Sequence, residues 1–128
     1  MKHLWPFLLI LVACGGAPAP SIDQVSAALA TAGALDIRDE PLAEGAPVPR
    51  SFTAHRVFTI EAVAPAGGQV FVCDTPRNCD AIYAYYDALK ALAGPYTYRS
   101  GTGLVVVQLN SGLTPEQAAP FEPAMEGL

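Results

Sequence analysis

The sequence predicts an α+β domain: a four-stranded antiparallel sheet in two hairpins, in the order α-β-β-α-β-β-α, with helices mainly on one face. Three observations predict it. Apolar residues recur at helical spacing in two stretches bounded by capping residues and glycines. Four short apolar or alternating runs fall in two pairs, each pair joined by a glycine-containing connection. At 128 residues the chain is long enough for one domain and too short for two.

Ser21-Ile22-Asp23-Gln24 is a capping-box signature, in which Ser21 and Gln24 each satisfy a backbone N–H that the first helical turn leaves unpaired. Ile22, Val25, Leu29 and Ala32 follow at helical spacing and Gly33 suits the stop, so a helix is predicted over 22–33. Residues 38–53 carry Pro41, Gly45, Pro47 and Pro49 among charges and read as an irregular crossing. Residues 56–63 alternate, with Phe58, Ile60 and Ala62 on one face, and residues 69–73 resume as a strand. The connection over 64–68 is short enough for an antiparallel hairpin.

Residues 80–93 place Ile82, Tyr86, Leu89 and Ala93 on one stripe, with Tyr85 and Leu92 beside it. That is an amphipathic helix, stopped by Gly94-Pro95. Residues 96–99 and 104–109 form the second hairpin around Ser100-Gly101-Thr102-Gly103. The Gly101-Thr102-Gly103 step has no third glycine and no helix after it, so it reads as a turn and not as a phosphate loop. Thr114-Pro115-Glu116-Gln117 repeats the capping logic, and Pro120 and Pro123 divide the C-terminal segment into short helical pieces.

The first fourteen residues read as an address. Lys2 supplies positive charge, and the ten residues after His3 are uncharged and almost all apolar. A bilayer-spanning helix needs about 20 apolar residues. This run is half that length, which fits a cleaved export signal over 1–13. Leu11-Val12-Ala13-Cys14 resembles the lipobox of bacterial lipoproteins, with small residues before an obligatory cysteine. The resemblance implies that Cys14 becomes the first mature residue and is acylated on its sulfur and amine. Two or more acyl chains, at about 0.8 kcal/mol per buried methylene, hold a protein to a membrane where one chain is marginal. Gly15-Gly16-Ala17-Pro18-Ala19-Pro20 has the composition of a tether, so residues 14–20 link the lipid to one domain over 21–128.

Composition excludes several functions. Twelve Asp and Glu against seven Lys and Arg leave a net charge of −5, which offers nothing to neutralise a run of phosphates. Nucleic acid is therefore not a predicted partner. Hydrophobic residues make up 52% of the chain and charged ones 15%, so this is no disordered acidic tail.

With Cys14 committed to lipid, Cys73 and Cys79 remain as an even pair in a compartment where disulfides persist. The reading from spacing is a structural bridge between a strand end and a helix start. The alternative is a redox-active dithiol, since a helix N-terminus lowers a thiol pKa. Five residues separate the two cysteines, however, and Asp74 and Asp80 put negative charge beside the sulfurs. No histidine lies near them in sequence, so neither a metal site nor a cofactor is predicted. His55 is a candidate general base, but no nucleophile motif accompanies it. The tyrosines Tyr83, Tyr85, Tyr86, Tyr96 and Tyr98 read as core-edge residues that have the amphipathic character of interface residues.

If the helices share one face, then Val57, Thr59, Phe71, Leu104 and Val106 share the other. An uncovered apolar face marks an interaction surface. These five residues are the predicted binding face.

The domain also resembles a set of small bacterial lipoproteins. The resemblance rests on Gly68-Gln69-Val70-Phe71-Val72, the alanine-rich helix after it, and Gly94-Pro95-Tyr96-Thr97-Tyr98-Arg99 leading into Leu104-Val105-Val106-Val107. It implies a strand-helix-strand core and a cell-envelope location, and no activity. The sequence thus predicts a non-enzymatic module on the extracytoplasmic side, membrane-attached through Cys14. It would bind an envelope or extracellular protein or a small ligand. A thiol-disulfide protein using Cys73 and Cys79 is the alternative.

Overall fold

The structure is a computed structural model and describes residues 18–128. The export segment, Cys14 and the first part of the tether lie outside the described residues.

Helix α1 (Ile22–Ala32) forms as its caps dictate. The Ser21 side chain accepts the Gln24 N–H, the Gln24 side chain accepts the Ser21 N–H, and Gly33 closes the helix at φ 117°. Its stripe buries Val25 and Leu29. The chain then forms a strand that the sequence reading did not assign, β1 (Leu35–Arg38). The sheet therefore has five strands, correcting the expected four. The strand escapes pattern reading because it is short, carries Asp36 at φ 50° and shifts register against its neighbour.

Both predicted hairpins are present. Strands β2 (Ala54–Thr59) and β3 (Gly67–Val72) pair antiparallel, as do β4 (Thr97–Arg99) and β5 (Val105–Leu109). The whole sheet is antiparallel, in the order β1-β2-β3-β5-β4. The alternation predicted to run to Val63 ends at Thr59, where Glu61–Val63 coils into a 3-10 turn.

Helix α2 (Pro76–Ala88) begins four residues before the predicted start, because Thr75 caps it and Pro76 opens it. It breaks at Leu89 and continues as the single turn α3 (Lys90–Ala93), which leaves Leu92 81% exposed. Two short helices, α4 (Pro115–Ala118) and α5 (Phe121–Glu126), complete the chain.

The helices lie on both faces of the sheet, not mainly on one. Val25 and Leu29 of α1 and Phe121 and Met125 of α5 pack on Phe58, Val70, Val72, Val105, Val107 and Leu109. On the opposite face, Ile82 and Tyr86 of α2 pack on Phe71 and Val106, with Val48, Leu42 and Phe52 of the 39–53 segment beside them. This explains the uninterrupted Val105-Val106-Val107: β5 is an inner strand buried on both sides.

Two local devices hold the layers in register. Cys73 and Cys79 are joined by a disulfide with Cα atoms 5.7 Å apart, which ties the end of β3 to the first turn of α2. At Gly68, a Cβ would stand 2.6 Å from the Gln108 carbonyl oxygen and 2.7 Å from the Phe58 ring. The close approach of β3 to β5 and to that ring depends on the missing side chain.

Candidate functional site

Strand alternation and register decide what the α2 face presents. His55 lies opposite Phe71, and Phe71 opposite Val106. Two residues along each strand, Val57 lies opposite Gln69, and Gln69 opposite Gln108. Helix α2 covers the first row, and the second sets two amides beside Val57. Over it opens a cavity of about 290 Å³ lined by Arg38, Glu40, Val57, Gln69, Gln108 and Asn110, together with residues 65–68.

The floor is a chain of amides with a fixed direction. Gln108 is 2% exposed, and its Nε2 donates to the Ala93 and Leu109 carbonyls at 2.8 and 2.7 Å. Carbonyls only accept, so Gln108 Oε1 must turn toward Gln69. There it accepts from Gln69 Nε2 at 3.0 Å, and the same Nε2 donates to the Tyr86 hydroxyl at 2.8 Å. Gln69 Oε1 is left facing His55 Nε2 at 2.9 Å, while His55 Nδ1 faces the Glu40 carbonyl at 3.2 Å. Burial pushes the Tyr86 phenol up to about 12, with Tyr85 adding to the rise and the Gln69 donor opposing it.

The rim is charged. Arg38 reaches Asp36 at 3.0 Å and Glu40 at 3.9 Å. On the far side of β2, Arg56 donates to Asp39, Asp23 and Ser26, joining the 39–53 segment to α1. The Asn110 side chain accepts the Gly67 N–H at 3.0 Å and so braces the end of β3.

The predicted binding face is covered at its centre. Phe71 and Val106 are fully buried because α2 and the 39–53 segment lie over them, and Leu104 is only 5% exposed. The open apolar face is thus corrected: it presumed one helical layer, and the molecule has two. Val57 lines the cavity, and Thr59 is half-buried at the end of β2. Cys73 and Cys79 are both fully buried. His55 is half-buried between the Phe52 and Phe71 rings, with centroids 5.7 and 4.7 Å away.

Among the described residues, no three His, Cys, Asp or Glu side chains are grouped to hold a metal ion, and no helix is long and apolar enough to cross a membrane. Comparison with protein-family models, curated proteins and solved structures gives no match for this chain.

Sequence reasoning passed over Gln69, Gln108, Arg38 and Glu40. A signal existed for the first two. Each is a single amide interrupting an otherwise apolar strand, and a buried amide needs partners that fix its neighbours in turn.

Proposed function

We propose that the chain is a lipid-anchored, extracytoplasmic binding module that holds a small polar ligand over Gln69 and Gln108 without transforming it. The observation that carries the binding role is the open cavity of about 290 Å³ over this row, with Arg38, Glu40 and Asn110 in its lining. The amide hydrogens of Gln69 and Gln108 are used within the protein, so the row is a rigid polar floor that loses little freedom when a ligand arrives, and the charged rim supplies the ligand's partners. Arg38 and Glu40 place opposite charges at the same mouth, which suits a neutral or zwitterionic polar molecule.

The anchor is supported by Leu11-Val12-Ala13-Cys14 and the short apolar run before it. The buried Cys73–Cys79 bridge accords with an oxidising compartment. Thiol exchange requires an accessible sulfur, and neither cysteine offers one.

Two measurements test the two halves separately. Intact mass after expression in a bacterial host should show residues 1–13 removed and Cys14 acylated; a retained segment or a bare thiol overturns the anchor. NMR titration with a panel of neutral amino acids and monosaccharides should shift the side-chain amides of Gln69 and Gln108. Resonances unmoved across the whole panel overturn the groove.

A further inference from the structure

The amide chain has a consequence for the charge on His55. Both of its ring nitrogens face acceptors. The Glu40 partner is a backbone carbonyl, which has no hydrogen to give. The Gln69 partner is also an oxygen, because Gln108 is held by two carbonyls and so fixes the direction of Gln69. Turning Gln69 around would set its oxygen against Gln108 Oε1, and turning both would set Gln108 Oε1 against the Ala93 and Leu109 carbonyls. A neutral imidazole donates from one nitrogen only; the imidazolium donates from both. Only the protonated ring completes this network.

We propose that His55 is a proton-operated latch, which in its doubly protonated form fastens the start of the 39–53 strap to β2. Loss of the second proton leaves the Glu40 carbonyl without a donor, since Gln69 Oε1 claims the hydrogen that remains. Glu40 lines both the groove over Gln69 and Gln108 and a second cavity, walled by Pro41, Leu42, Phe52 and His55. Glu40 thus stands between the two, and release of its carbonyl bears on the lining of both. The latch rests on the hydrogen-bond geometry alone and stands whether or not the groove binds a ligand.

His55 is the only histidine among the described residues, and the charged or titratable groups around it are carboxylates, arginines and a phenol. From the strap, Asp39 is held by Arg56 at 3.1 Å, Glu40 lies 3.9 Å from Arg38 on β1, and Arg50 lines the second cavity. From α2 the Tyr86 hydroxyl meets the same Gln69 amide, and its phenol is pushed up to about 12. From β3 the ring meets Gln69 and Phe71, neither of which titrates.

The test is NMR on the full chain between pH about 5.5 and about 8, the range in which histidine changes charge. At the acid end both ring nitrogens of His55 should carry protons, with strong cross-peaks from the ring to the Glu40 and Leu42 backbone. As the pH rises, those contacts should weaken, with the latched-to-open ratio falling about fivefold, the equivalent of one hydrogen bond. Ring deprotonation and contact loss should share one midpoint. In His55→Gln the strap contacts should lose their pH dependence. The latch is overturned by a ring protonated on one nitrogen only at pH about 5.5 with the Glu40 contact intact, by contacts that hold constant while the ring titrates, or by a pH dependence that survives in His55→Gln. The wild-type measurement decides the matter by itself if that variant does not fold.

Discussion

Gln69 and Gln108 face each other across the β3–β5 pair, and the Nε2 of the first donates to the Oε1 of the second at 3.0 Å. This bond sets the direction of every polar contact from the Ala93 carbonyl to His55. Gln108 is the fixed end, since it is 2% exposed and held by two backbone carbonyls.

Replacing Gln108 with Leu keeps the volume and removes every hydrogen bond at that end. The Ala93 and Leu109 carbonyls lose their donor, and Gln69 loses the partner that orients it. Stability should fall by about 1–3 kcal/mol, the cost of leaving buried acceptors unmet. Urea unfolding with an unchanged m-value measures it.

The Cys73–Cys79 bridge should behave as a structural one. With both residues buried, neither sulfur should titrate with a thiol reagent in the native protein after mild reductant, and both should do so in denaturant. Cys73→Ala together with Cys79→Ala should cost roughly 2 kcal/mol on the chain-entropy account of a short loop. Rapid native-state reduction would favour the alternative, redox reading.

Gly68→Ala should destabilise by about 1–3 kcal/mol, as overpacking does. The added methyl meets the Gln108 carbonyl, which is backbone and must move with β5. Gly127→Ala is the control. A Cβ there meets nothing within 4 Å, and its effect should stay within about 0.5 kcal/mol. Thermal melts of the two variants provide the comparison.

Alkali should unfold the protein through Tyr86. Its phenol is pushed up to about 12 in the folded state, against an unfolded value of 10.0. Above the unfolded value the unfolded chain gives up a proton that the folded one keeps, so stability is full below 10.0 and drains away toward about 12. Burial raises Tyr98 in the same sense. Phenolate absorbance should show a delayed fraction released with unfolding, and Tyr86→Phe should flatten the alkaline slope of stability. An unchanged slope in that variant would refute the assignment.

Much of this architecture was legible in the chain. Ser21 with Gln24, and Thr114 with Gln117, form the capping boxes that their spacing implies, and both hairpins pair as their turns suggest. What escaped was non-local. The alternation of Val70 and Val72 with Phe71 and Cys73 records two buried faces, and strand periodicity does not say which helix covers which. Residues 39–53 looked featureless because prolines break any period, yet Val48 is 5% exposed and fills the layer under α2. The site itself was hidden for a related reason. Gln69 and Gln108 are 39 positions apart and gain meaning only from the register that sets them side by side.

Asp39 and Glu40 are neighbours in the chain but are moored to opposite sides of β2. Asp39 ties up to the Arg56 guanidinium on the α1 side, and the Glu40 carbonyl ties up to His55 on the α2 side. Ionic strength slackens the first line, because exposed ion pairs are screened by salt, while acidity tightens the second. A single stretch of backbone thus answers to two properties of the surrounding solution at once.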